Sequence, residues 1–323
     1  MGMFQSLKDR FFSRHDGAIE DFVLAAYGKL PIYKDYIIWE CYHGGAAEFK
    51  QWMDETFGLQ WEEFDGKNAR LAGPCRAMLL MPGGRNVVAV SMWPSADEGN
   101  MRKFPFALFA CFNRGEIVGL GLRGALEALD PVWRALEAEY DQVRHCANIE
   151  DLYSYFQRSA PQAEPPAEDP AEKELPLADW FEAIYPGQAG TLRKWLDSEL
   201  QMALDAYRGF PEQGESLAAR LPIARDLSFS RQAEFWEQLF KQNLKRCPAI
   251  PSVVIDLSGQ DGPAAMNLAW RDLKREDGRL FAMKYEDYEH LENLTPDAPP
   301  RGSGEDIDPD LTIEKWIAGF AEP

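Results

Sequence analysis

The sequence predicts an α+β fold: a central, mainly antiparallel sheet flanked by helices, with a smaller C-terminal α/β part. Three observations predict it. Apolar runs of strand length follow one another in hairpin-linked succession, while helical spacing comes in separate blocks. Ala77 to Met81 and Asn86 to Trp93 are joined by Pro82-Gly83-Gly84, which is hairpin chemistry. Apolar residues make up 46% of the 323 residues and charged residues 27%, the balance of a chain with a core.

In chain order, residues 3–12 suit a short amphipathic helix with Phe4, Leu7 and Phe11 on one face. Phe22 to Leu30 reads as a strand ending in a turn at Gly28–Pro31. Glu48 to Phe57 carries helical spacing through Phe49, Trp52, Met53 and Phe57. The hairpin follows, and Phe104 to Phe112 reads as a strand buried on both faces. Leu120 to Phe156 is helical, with a break expected at Pro131. Gly190 to Tyr207 and Ser230 to Asn243 are amphipathic helices. Ser252 to Leu257, Ala265 to Trp270 and Arg279 to Tyr285 are short strands, and Tyr285 to Leu294 a last helix. Leu311 to Phe320 suits a short docking helix led by Leu311, Trp316 and Phe320.

The organisation expected is an α+β domain over 1–157, a linker over 158–178, a C-terminal part over 179–294 that packs on or extends the first sheet, and a tail over 295–323. The linker reading rests on residues 160–178, which hold five Pro and five acids against one Lys. Such a segment buries too little apolar area to offset its ordering entropy. Residues 295–323 hold seven acids and two bases.

The formal charge is −19. A field of that sign repels phosphate backbones and anionic lipid, so nucleic-acid partners are not expected. No apolar run is long enough for a membrane-spanning helix, and Met1 to Arg14 lacks the pattern of a secretory leader. Five Cys without close pairs point to reduced thiols and a cytoplasmic location.

Gly119-Leu120-Gly121-Leu122-Arg123-Gly124 fits a dinucleotide-loop pattern, but the strand such a loop must follow is missing. This leaves a nucleotide- or small-molecule-binding enzyme as an alternative. His15, His43, His145 and His290 lack metal-ligand spacing, and no base is seen beside Cys75, Cys111 or Cys247. No catalytic residue, metal or cofactor is expected. The acidic linker and tail give a further alternative, a secretion assembly or effector adaptor.

One cluster of turns remains. Tyr27-Gly28-Lys29-Leu30-Pro31 leaves a strand, with Lys29 read as an exposed cation, and Asp35-Tyr36 follows. Downstream come Gly73-Pro74, Met78 to Pro82, Ser95 and Asp97, then Arg102-Lys103-Phe104-Pro105-Phe106. By residue chemistry alone these are turns that punctuate strands.

In this order the motifs resemble the TagF (ImpM) family of type VI secretion accessory proteins. Tyr27 to Pro31 resembles the family's Gly-Lys-Leu-Pro turn. Asp35-Tyr36 stands where the family has Asp-Phe, and Arg102 to Phe106 resembles its Gly-Arg-x-Phe-Pro-Leu element. Lys34 and Met101 replace the glycines expected before Asp35 and Arg102. The resemblance covers residues 22–112. It implies an α+β fold and a non-enzymatic cytoplasmic regulator, a post-translational repressor that binds a forkhead-associated (FHA) domain scaffold or a related component. The partner-binding residues it singles out are Gly28, Lys29, Leu30, Pro31, Asp35, Arg102 and Lys103.

Overall fold

Alternate residues of a strand face opposite sides of a sheet, so a run that is apolar throughout needs cover on both sides. The central strands of this protein are such runs, and both sides are covered. The computed structural model describes residues 22–58, 71, 73–159, 161, 176–209, 218–243, 250–257, 264–274, 277, 280–281, 291–295, 307–308 and 310–320.

The strands are β1 (Ala25–Gly28), β2 (Ile37–Trp39), β3 (Cys75–Leu80), β4 (Asn86–Trp93), β5 (Phe106–Asn113), β6 (Ala218–Ile223), β7 (Ser252–Asp256), β8 (Ala264–Ala269) and β9 (Leu291–Asn293). They form one α+β sheet in the order β2-β1-β5-β4-β3-β7-β8-β6-β9. Neighbours pair antiparallel, except β6 with β9, which run parallel. The strands of the two halves meet at β3 and β7, with Cys75 opposite Asp256 and Met78 opposite Val253.

The helices are α1 (Gly44–Met53), which runs into a π turn at Asp54–Gly58, α2 (Arg114–Val118), α3 (Gly121–Val143), α4 (Ile149–Arg158), α5 (Leu177–Ile184), α6 (Ala189–Gly209), α7 (Phe229–Asn243) and α8 (Ile313–Ala318). Met78, Leu80, Val87, Ala89, Leu108 and Ala110 join the core built with α3 to α8. Their alternates Ala77, Leu79, Val88, Val90, Ala107 and Phe109 join a second core with Phe49, Trp52 and Met53 of α1. The sheet is thus sandwiched between a thick helical layer and a thin one.

Several elements differ from expectation for identifiable reasons. α3 runs unbroken through Pro131. An interior proline costs a helix about 3 kcal/mol, but Leu122, Leu126, Leu129, Trp133 and Leu136 are all buried in the core that the helix shares with the sheet. Each contributes about 1.5–3 kcal/mol of burial. Arg76 of β3 pins the same helix, bonding Glu137 at 2.6 and 2.7 Å and Asp130 at 3.1 Å. The helical stretch breaks instead after Val143, and α4 restarts under the Asn148 cap, whose side chain accepts from Asp151 N. Residues 291–293 form β9, not the end of a helix. Leu280 and Phe281, expected in a strand, lie in a 3-10 turn. The expected helix over 3–12, most of the acidic linker, His15, His290 and Cys247 lie outside the described residues. Among the described residues, no helix is long and apolar enough to cross a membrane.

Candidate functional site

β1 ends where it crosses the entry of β5. Gly28 has φ +133°, and a Cβ there would sit 2.1 Å from the Pro105 carbonyl oxygen. That close approach turns residues 29–36 toward the segment 94–105. Tyr36 folds back to stack on Tyr27 at 5.5 Å, and Phe104 meets both rings edge-on at 5.0 and 5.7 Å. Lys50 lies 4.8 Å from the Tyr27 ring centre and pairs with Asp54 at 2.7 Å. Asp54 also accepts the Tyr27 hydroxyl.

Lys29 is enclosed with this stack. It is 1% exposed, and its ammonium lies 4.2 Å from the Tyr36 ring centre. The nitrogen has no hydrogen-bond partner among the described residues. Burial lowers its pKa, the Arg102 charge lowers it further, and Asp97 and Asp35 oppose both. The turn therefore does not present Lys29 as an exposed cation. Its ammonium faces the Tyr36 ring, and a cation–π contact stands in for hydration.

The facing loop is organised by Asp97, whose side chain is only 6% exposed. Its Oδ1 accepts Met101 N at 2.9 Å and Arg102 N at 3.2 Å, while Oδ2 accepts Arg102 Nε at 2.8 Å. Its backbone exchanges bonds with Arg102 O and Asn100 N at 3.1 and 2.8 Å. Hydrogen bonds from Arg102 hold the Asp97 carboxyl down at about 2. Arg102 also donates to the Lys34 carbonyl, and Glu98 N donates to Tyr33 O at 3.1 Å. The turn and the loop are thereby clasped into one surface.

Beside this clasp lies a cleft of about 460 Å³, bounded by Leu30, Pro31, the 94–105 loop and the end of α3 at Tyr140, Val143 and Arg144. Its lining includes Lys103. Trp93 stacks on Tyr140 at 3.8 Å, fixing that wall to the sheet.

The structure thus brings the seven predicted residues to one region but divides their roles. Gly28, Lys29 and Leu30 are buried, and they set the backbone crossing and the core. Pro31, Asp35, Arg102 and Lys103 are exposed. Reading the sequence missed Asp97 as the organiser. Its signal was available in the spacing, since an acid five residues before an arginine closes such a loop when the intervening Asn100 takes φ +53°. It also missed the cleft wall on α3, which no local pattern connects to residue 30.

A buried ammonium without a hydrogen bond is a net cost. Lys29→Met should therefore raise stability at pH 7, by about 1–3 kcal/mol for relieving one unsatisfied buried polar group. The folded-state pKa lies below the unfolded value of 10.5. The unfolded chain thus binds more protons between the two, and wild-type stability rises with pH through that window. The gain from Lys29→Met should accordingly fade as pH approaches 10.5. Thermal melts of both proteins at pH 7 and pH 10 check this. A variant that melts lower at pH 7 would mean that the ring contact outweighs desolvation.

The other motifs resolve plainly. Gly119 ends α2 and Gly121 opens α3, so a helix stands where a dinucleotide loop needs a strand. Burial raises Cys41 and Cys111 to about 12 and Cys75 higher still, so these are thiols at neutral pH. Among the described residues, no cluster of three or more His, Cys, Asp or Glu is arranged to hold a metal.

No family model matches the chain, and no curated protein matches it. Among solved structures, the crystal structure of PA0076 from Pseudomonas aeruginosa PAO1 aligns with a TM-score of 0.31 and 17% identity. The alignment covers 43% of this chain and 64% of that one, so the chain spans less than two thirds of that protein. A likeness this slight carries neither fold nor function across.

Proposed function

We propose that this chain is a non-enzymatic, protein-binding accessory factor of a type VI secretion system, acting in the cytoplasm as a post-translational repressor. It works by sequestration: a bound FHA-domain scaffold, or a related component, is withheld from assembly. Mass action requires only a concentration near or above Kd, not turnover. The reading starts from the TagF-like motif order over residues 22–112. The observation that carries it is the clasp between the 28–36 turn and the 95–105 loop, two motif segments about seventy residues apart in sequence. Their convergence supports a shared role beyond turn chemistry.

The test is direct binding of the purified full chain to a purified FHA-domain scaffold at moderate salt. A complex is expected, and Asp35→Lys, which reverses an exposed charge on the clasp, should weaken it without lowering the melting temperature. No complex at micromolar concentrations of both proteins would overturn the reading.

A further inference from the structure

We infer that the face carrying the cleft is where two copies of this chain meet about a two-fold axis, each inserting Met101 into the other's cleft. The inference stands apart from the secretion reading, because it needs nothing but the chain itself.

A two-fold contact uses one patch twice, so that patch must hold both halves of the match. In shape this one does. Asn100 and Lys103 line the cleft of about 460 Å³, together with apolar Leu30, Phe104 and Val143. Met101 lies between Asn100 and Lys103 in sequence, yet it is not part of the lining and is 84% exposed. It therefore stands off the protein beside the recess without filling it. Its backbone is held in place. Asp97 Oδ1 accepts Met101 N at 2.9 Å and Arg102 N at 3.2 Å, and Asn100 N donates to Asp97 O at 2.8 Å. A knob fixed before contact avoids the ordering cost of binding, and methionine adapts to an irregular apolar recess.

The signs match in the same way. Two carboxylates, Asp97 and Glu98, and two cations, Lys103 and Arg144, line the cleft, so its charge sums to zero on a chain of −19. Two such chains repel, and they approach at least cost through faces that carry no net charge. Asp97 is held by Arg102, and Arg144 by Asp141. Glu98 and Lys103 are exposed on either side of Met101 in the loop. A two-fold axis beside the loop tip sets each Glu98 toward the other copy's Lys103. The contact is confined to one loop and one recess. It belongs among the small interfaces, below about 1,200 Å² in total, which associate weakly.

Sedimentation velocity of the full chain at moderate salt, from about 1 to 300 µM, covers the affinities of such contacts. A reversible monomer–dimer equilibrium is expected. Met101→Arg, which forces a charge into the apolar recess, should weaken it by about tenfold or more. Glu98→Lys and Lys103→Glu each give the face a net charge, and each should weaken self-association severalfold. Mixed in equal amounts, these two variants present opposite faces and should pair at least as tightly as wild type. Lys194→Glu on α6 makes the same charge change as Lys103→Glu elsewhere on the surface and should dimerise as wild type. Melting temperatures of the dilute proteins should coincide, since Glu98, Met101 and Lys103 are all exposed.

A chain that stays monomeric throughout overturns the proposal. So does a dimer indifferent to Met101→Arg and to both charge reversals. A mixture that pairs no more tightly than either variant alone overturns it too, because a two-fold face must recover when its signs are made complementary. No scaffold enters the experiment, so its failure leaves the proposed function standing.

Discussion

Gly28→Ala is expected to lose about 3–5 kcal/mol, summing a strained backbone with forced overpacking. The residue sits at φ +133°, a region that side-chain-bearing residues almost never occupy. The new Cβ would meet Pro105 O at 2.1 Å and Phe106 Cα at 2.8 Å, both of them backbone, so no rotamer can relieve the clash. The alternative is to pull β1 away from β5, where Ala25, Ala26 and Tyr27 pair with Phe109, Leu108 and Ala107. Because Pro105 also bounds the cleft, the damage would reach the candidate site. Urea unfolding monitored by tryptophan fluorescence checks this, and a midpoint within error of wild type would show that the strands do not cross this tightly.

Trp316→Ala is expected to cost about 3–5 kcal/mol, the usual price of emptying a buried tryptophan site. Trp316 is 5% exposed, although it lies in a stretch with seven acids. Its ring packs on Phe235 and Phe181 at 5.7 Å and on Phe320 at 5.3 Å. Its indole N–H donates to Asp197 at 2.6 Å. Burial raises the pKa of that carboxyl, and the indole bond opposes the rise. Denaturant titrations of Trp316→Ala and Trp316→Phe separate the contributions: Phe should recover part of the packing and none of the hydrogen bond. A loss below about 1 kcal/mol for Ala would place α8 among surface decorations. Deleting residues 296–323 to isolate an acidic tail would remove this helix too, so an adaptor role for the tail needs a cut that stops before Leu311.

Much of the fold was legible where physics is local. The run Asn86 to Trp93 is β4 at both ends, because its apolar residues are bounded by a Gly turn and Pro94. β5 starts at Phe106 and not Phe104, since Pro105 cannot donate to a ladder. β2 has three residues, too few for a pattern to register. β6 carries Arg220 and Pro222, and reads as a strand only once Asp256 is known to lie 3.2 Å from Arg220. α5 opens at Leu177, directly after the acidic, proline-rich run, and averaging over that run hides Trp180 and Phe181. At the site, the turn and the loop were both visible as motifs. Their clasp was not, because it depends on Arg102 reaching the carbonyl of Lys34. The burial of Lys29 was equally hidden, since it depends on Tyr36 folding back over it.

The pairing of β3 with β7 carries a kinetic consequence. Met78 and Val253 are ladder partners separated by about half of the chain, so the middle of the sheet closes only after β7 is made. The entropy of that closure grows slowly with loop length, by about 0.6 kcal/mol per doubling, and so weighs little on final stability. It weighs on rate, because long-range pairing delays the transition state. Until β7 arrives, β3 carries an open apolar edge of the kind that recruits foreign strands. The N-terminal half with β3 still unpaired is therefore the species most exposed to such recruitment.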